Sequence, residues 1–580
     1  MTPTSSSPAG LPQRIVDSGI KGIWASRIAV ALAFLSVVLA LLGIARNYSA
    51  VPFGDMWDGY VSFFLRARDG GAAPWIEPHG EHRIILSRPF FYADVLWFGG
   101  RGVLPLIIGP VLAGGVAGIF CLVAANLGMS GPRSSRVATY SVIVAACFFW
   151  SQRENFTWAF QIQFFLAQLL PLAAFYLTAR ARDRRHPLRN AGVWAVVIGV
   201  LAMGGMANGI LTLPLVLILG AAIGLRRRWV LVTGGVTLLA LLVFTLGFQG
   251  SQTHTPMLSV LLERPLDVFH FVLRYLGAPF WFIVGGAPWA IWLAEAAGAA
   301  AILVGIVTAP RIWTHRYVQP LGAAMITMFG FVVATAAIAA LGRLPLPGGL
   351  AGAITSRYTG MAIIAWLSLL LSNLPGVTSR SHLSIPFAAV ALLLALMPCQ
   401  LRAPRDQSSM RYRRDLAALA LAAQAPDPDA VSAIFPADRT SYVLHIASIA
   451  LHEHLPVFGD SALGPSIAML GTQAPPGLCS LGIEGALPLA GADEVRRVDG
   501  HLPEPTIERE HSRALLVDDR DTIVGWVQVR PGRARKRADT APGAAFSGYV
   551  RDPRTRDPQW LITTLRICQP RPDALLAHSE

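Results

Sequence analysis

Residues 28–58 read IAVALAFLSVVLALLGIARNYSAVPFGDMWD. The stretch 28–45 has no charged residue and is long enough to cross the hydrocarbon core of a bilayer. Arg46 ends it, and about ten residues later come two carboxylates three positions apart, Asp55 and Asp58, set among aromatic side chains. A span that delivers an acidic, aromatic loop to the membrane surface is the unit from which the rest of the chain is read. The segment 1–27 is polar, carries Arg14, Lys21 and Arg27, and is not followed by a small-x-small cleavage site. It reads as a cytoplasmic N-terminal segment, disordered over its Ser/Pro-rich start, before a retained first span.

Comparable apolar stretches recur at 103–126, 137–151, 161–179, 191–206, 208–225, 229–247, 288–309, 318–341, 358–374 and 385–399, which makes eleven with the first. The composition agrees. Of 580 residues, 53% are hydrophobic and 14% charged, against about 25% charged in a soluble protein. A soluble monomer, a disordered chain and a disulfide-rich secreted scaffold are excluded. The net charge of +14 resides in the first 400 residues, where basic residues gather in alternate short loops: Arg133 and Arg136; Arg180, Arg182, Arg184, Arg185 and Arg189; Arg226, Arg227 and Arg228; Arg311 and Arg316; Arg380. Basic loops stay on the cytoplasmic side. The loop 46–102 is therefore expected outside, and with eleven spans the tail 400–580 is expected outside too. No basic run interleaved with exposed aromatics suggests nucleic acid. Residues 268–286 hold His270, Arg274 and Pro279 and read as an interfacial or re-entrant helix; a full crossing there would invert every later loop.

From about residue 400 a helical pattern at 411–424 gives way to Pro and Gly, with short apolar runs at 522–529 and 561–565. This predicts a mixed α/β extracytoplasmic domain, periplasmic or extracellular. The basic run 533–537 reads as a solvated loop. Cys479 and Cys568 both lie in this tail and could pair in an oxidising compartment; Cys121, Cys147 and Cys399 read as small hydrophobic residues.

Chemistry-bearing residues concentrate on the outer side. Six of the twelve acidic residues before position 401 lie in loop 46–102: Asp55, Asp58, Asp69, Glu77, Glu81 and Asp94. A carboxylate at a lipid–water boundary loses hydration and becomes a stronger base. Asp55 and Asp58 share a helical face, suit a divalent cation such as Mg²⁺ or Mn²⁺, and would be anchored by Phe53, Trp57, Tyr60, Phe63 and Phe64 in the interface. Glu77, His79, Glu81 and His82 form a second cluster; the structural alternative pairs Glu81 with Arg83 or Arg88. In SQRENFTWAFQIQFF (151–165), the polar residues Arg153, Glu154, Asn155, Gln161 and Gln163 suit sugar hydroxyls, with Trp150 or Trp158 stacking on the ring; caps and inter-helix hydrogen bonds are the alternative. Arg343 and Arg357 suit a phosphate, Asn208 between two spans is a candidate to face the same cavity, and Glu295 stands inside a span. His452-Glu453-His454 lacks the spacing of a zinc-protease helix, and no Walker loop, GxGxxG, CxxC or GxSxG is present.

This architecture, with Asp55 and Asp58 in FGDMWDGY and Glu81 in GEHR, resembles the GT-C superfamily of integral-membrane glycosyltransferases. The resemblance spans 28–399. It implies a sugar donor carried on polyprenyl phosphate, an acceptor outside the cytoplasm, and residence in the plasma (inner) membrane in service of cell-envelope polysaccharide synthesis. It also implies Asp55 as base with Asp58 or Glu81 in support, and Arg343 or Arg357 on the lipid phosphate. His82, Glu154, Asn155, Gln161 and Asn208 would complete the substrate site. FGDMWD is neither an adjacent Asp-Glu pair nor a strict DxD, and the tail has no WWD. A flippase for a lipid-linked sugar or polymer, and a non-catalytic envelope assembly protein, are the competing classes.

Overall fold

The computed structural model describes residues 11–570 apart from 128–131, 183–189, 247–255, 375–383, 406, 454, 456–469, 475–476, 481–482, 504–512, 531–542, 553 and 555–564. The expectations for residues 1–10, Arg184, Arg185, Arg189, Arg380 and the basic run 533–537 lie outside the described residues. Each of the eleven apolar stretches has most of its described residues in helix. The first begins at Leu11 and runs to Asn47, so residues 11–27 extend the span as helix. Among the described residues seven helices are long and apolar enough to cross a membrane: Ile20–Asn47, Val103–Asn126, Ala159–Arg180, Arg227–Thr245, Pro265–Ile283, Ala290–Thr314 and Pro320–Arg343. Ala191–Met203, Ala207–Ala222 and Ile385–Gln400 are shorter apolar helices.

The chain divides into two compact units. The first comprises residues 1–46, 76–87 and 106–405. Its interior is built from Ala and aromatic side chains, among them Phe120, Phe165, Phe175, Phe271, Phe331, Ala324 and Ala336, while Leu231, Leu238, Trp292 and Leu303 stay exposed on the helix flanks. Small residues let backbones touch. A methyl group on Gly277 would stand 1.8 Å from the Ala294 carbonyl oxygen, and one on Gly298 would stand 2.0 Å from that of Leu273, so the helices Pro265–Ile283 and Ala290–Thr314 meet backbone to backbone. Buried Glu295 accepts from Arg274 Nε at 2.6 Å and faces His270 Nδ1 at 3.3 Å; this ion pair answers the charge that sequence flagged inside a span. At one end of the unit Arg182 Nε donates to the Tyr317 carbonyl and Arg316 Nε to that of Ala222. Three of the basic loops thus come together in space.

The second unit comprises 47–75, 88–105 and 406–580. Loop 46–102 is therefore not one structural piece: its middle, 76–87, belongs to the first unit. The flanks form a π-helical turn, Trp57–Ser62, and short helices Phe63–Arg68 and Arg88–Phe98. Trp57, Tyr60, Phe63 and Phe64 are buried. They pack on Phe91, Trp75, Tyr92 and the Arg88 guanidinium; they do not anchor a surface helix in lipid, because this loop has enough aromatic bulk to build its own core. Buried Asp94 accepts from Tyr60 Oη at 2.5 Å and from the amides of Gly102 at 2.8 Å and Leu104 at 2.7 Å, a fully satisfied structural carboxylate.

The tail contributes helices Ser408–Ala422 and Thr440–His452 and a seven-stranded antiparallel sheet. Its strands are β1 (Gly477–Ser480), β2 (Ile483–Leu489), β3 (Ala492–Pro503), β4 (Arg513–Val517), β5 (Ile523–Val529), β6 (Gly543–Arg551) and β7 (Arg566–Pro570), in the order β1-β7-β4-β5-β6-β3-β2. The run expected at 522–529 is β5. Residues 561–564 lie outside the described residues. Val498, Leu516, Val527, Phe546 and Ile567 form the sheet core. Asp427 ties helix to sheet by accepting from Tyr549 Oη at 2.7 Å and Arg497 Nη1 at 3.2 Å. Cys568 is disulfide-bonded, and its cross-strand neighbour in the β1–β7 ladder is Cys479. Cys121, Cys147 and Cys399 are free thiols.

Candidate functional site

In the first unit the segment 76–87 presents a tight turn. The His79 amide donates to the His82 carbonyl at 2.8 Å and the His82 amide returns the bond at 3.0 Å. Gly80 sits between them at φ +55°, the left-handed conformation that favours glycine in such a turn. Two outside contacts fix the segment: the Leu86 amide donates to Gly204, and Arg83 Nη2 donates to the carbonyls of Phe244 and Leu246 at 3.1 and 2.7 Å. The His79 ring lies 5.1 Å from that of Phe160.

This turn carries Glu81 and His82 to the end of the Pro320–Arg343 helix. Glu81 Oε1 lies 3.6 Å from Arg343 Nη2, with both side chains about one-third exposed. This partner lies 262 positions from Glu81 in sequence. At 3.6 Å the contact is Coulombic rather than a hydrogen bond, and an ion pair that meets solvent contributes little, so an incoming anion can exchange for the carboxylate. Burial pushes the His82 imidazole down to about 4. Arg343, His79 and Arg357 add to the lowering, and Glu81 opposes it. His82 keeps an edge at the surface, but its Nδ1 is buried and has no hydrogen-bond partner. It is a neutral base held in a field of guanidinium charge.

Arg357 belongs to the first turn of the helix Ser356–Asn373. The segment 150–163 holds that turn: the Glu154 amide donates to Ser356 Oγ at 3.1 Å, Ser356 Oγ donates to the Ser151 carbonyl at 2.7 Å, and Asn155 Nδ2 donates to the Arg357 carbonyl at 3.0 Å. Glu154 and Asn155 thus position Arg357 by backbone bonds, the role that sequence gave as the alternative to sugar binding. Gln161 and Gln163 are buried with unpaired Oε1 atoms, and Asn208 has an unpaired Oδ1 while Nδ2 reaches Thr335 at 3.4 Å. Trp150 is buried, stacked on Phe156 at 6.4 Å, and cannot offer a face to a sugar.

Asp55 and Asp58 belong to the second unit. Asp55 is exposed, so the loss of hydration expected of it is not supplied by the packing around it. Asp58 is half-buried, and its Oδ1 accepts from Tyr442 Oη at 2.6 Å. The Gly54 amide donates to the Ile434 carbonyl at 2.6 Å, and Arg414 lies over the Phe53 ring. Sequence gave no hint that residues 414–442 hold this acidic turn, since they lie hundreds of positions away. Among the described residues no three His, Cys, Asp or Glu side chains come together as metal ligands. Tyr442 engages one oxygen of Asp58.

No family model, no curated protein and no solved structure matches this chain.

Proposed function

We propose that this chain is a GT-C-type membrane glycosyltransferase. It would move a sugar from a polyprenyl-phosphate carrier to an extracytoplasmic acceptor, with Arg343 and Arg357 holding the carrier phosphate. The observation that carries the reading is the contact of Glu81 with Arg343 beside His82, on which the charges of both Arg343 and Arg357 act. Guanidinium groups match a phosphate in charge and fork geometry, and the loose Glu81–Arg343 contact leaves Arg343 available to it. In the transfer step the acceptor oxygen bonds to the anomeric carbon as the carbon–phosphate oxygen bond breaks. The arginines stabilise the charge that develops on the departing phosphate.

Eleven spans in the plasma membrane, with helix Pro265–Ile283 re-entrant, fit this reading. Arg264 Nη1 donates to the Leu344 carbonyl and Arg402 Nη1 to that of Phe282. The reading counts 356–373 and 385–400 as two passes between Leu344 and Arg402, and on that count these bonds support both ends of helix Pro265–Ile283 lying on one side. The flanks of loop 46–102 and the tail share one compact unit, which a bilayer cannot divide; this also keeps the number of crossings between them even. The bonded Cys568 suits an oxidising compartment outside the cytoplasm. Denatured, unreduced protein is expected to alkylate at three cysteines and reduced protein at five; five before reduction would place the tail in the cytoplasm.

The reading is tested by assaying full-length protein in lipid nanodiscs with polyprenyl-phospho-hexose and -pentose donors. Sugar released to an acceptor in an Arg343- and Arg357-dependent manner supports it. Lipid translocation without transfer would assign the chain to the transporters.

A further inference from the structure

We propose that His82 is a catalytic residue, its Nδ1 accepting the proton of the acceptor hydroxyl as that oxygen attacks the sugar. The inference rests on the transfer reading above and names a base for it within the same unit as the arginines. Three other candidates are weaker. Glu81 already faces Arg343 at 3.6 Å. Asp55 is exposed. Glu295 is committed to Arg274.

His82 has what a base requires. The paired backbone bonds to His79 fix its turn, and Nδ1 is buried with no partner, an unmet polar atom that a hydroxyl donor would satisfy. The charged and titratable groups that face it are Glu81 and His79 on its own segment, Arg343 on the helix Pro320–Arg343, and Arg357 on Ser356–Asn373. Without donor, the two guanidiniums oppose a positive imidazole. A bound phosphodiester places a negative charge among them and removes much of that opposition. Burial remains the larger cause of the lowering, so the donor strengthens the base by relieving the charge part alone. The step balances. The hydroxyl proton moves to Nδ1, the acceptor oxygen bonds to the anomeric carbon, and the bond from that carbon to the phosphate oxygen breaks. Its electron pair leaves with polyprenyl phosphate, which stays on the arginines.

The test uses full-length protein in nanodiscs and methyl farnesyl phosphate, a diester with no proton of its own to exchange. Calorimetric titration in buffers of different ionisation heat is expected to show proton uptake by wild type on binding at pH 5–6. The uptake is expected to be absent at pH 8 and lost in His82→Gln. His82→Gln is also expected to bind the diester within a few-fold of wild type while transfer falls about 10²- to 10⁴-fold in kcat. Absence of proton uptake in wild type would overturn the inference without recourse to a variant, as would full transfer by His82→Gln. Diester binding that is absent, or indifferent to Arg343→Gln, would instead sink the transfer reading itself.

Discussion

Replacing Arg343 and Arg357 together by glutamine is expected to weaken binding of a polyprenyl monophosphate about 10²- to 10⁴-fold and to remove transfer. A hydrogen bond to a charged group contributes about 1.5–3 kcal/mol, and each 1.4 kcal/mol is tenfold in affinity. Two guanidiniums on one phosphate therefore supply roughly 3–6 kcal/mol if their effects add. The Glu81–Arg343 contact supplies a control of opposite sign. Glu81→Gln removes the carboxylate that competes for Arg343, so phosphate binding is expected to tighten several-fold and to become more sensitive to salt. Equilibrium binding of a labelled polyprenyl phosphate at two ionic strengths checks both. A double variant that binds like wild type, or a Glu81→Gln that binds more weakly, would remove the arginines from the site.

The second large effect concerns folding. Gly277→Ala and Gly298→Ala each place a methyl group against a backbone carbonyl at 1.8 and 2.0 Å. Backbone cannot rotate aside as a side chain can, so the two helices must part. Overpacking costs about 1–3 kcal/mol for an ordinary core site, and a contact with backbone belongs at or above the top of that range. Parting these helices also disturbs the bond from Trp366 Nε1 to the Leu276 carbonyl at 3.0 Å. The double variant is expected to lose most of its folded yield and to unfold at markedly lower temperature in detergent. Gly118→Ala, Gly235→Ala and Gly330→Ala meet nothing within 4 Å and are expected to match wild type. Equal stability of all five variants would contradict the backbone packing.

The helices were legible because each depends on a run of apolar residues that must be buried or face lipid whatever the rest of the chain does. The stretch 103–126 coincides with its helix end to end, and 385–399 falls one residue short of Gln400. Arg343 and Arg357 could be singled out because a charge at the edge of an apolar run needs a reason. Their company rests on the resemblance alone in the sequence: Arg357 acts on His82 from 275 positions away, and no local pattern encodes that. The aromatic loop was misread for a related reason. Trp57, Tyr60, Phe63 and Phe64 have the composition of an interfacial belt, and only the arrival of Phe91, Trp75 and Tyr92 turns them into a core. The division of loop 46–102 between two units has no signature in composition. The same holds for Tyr442, whose hydroxyl meets Asp58 from 384 positions away.

The account stands on a phosphate-binding pair of arginines beside His82. The most direct measurement is an experimental structure of the full chain with a polyprenyl-phosphate analogue bound. The account predicts the phosphate within hydrogen-bonding distance of Arg343 or Arg357, with Glu81 displaced from Arg343. A phosphate bound away from both arginines, with the Glu81–Arg343 contact intact, would contradict it.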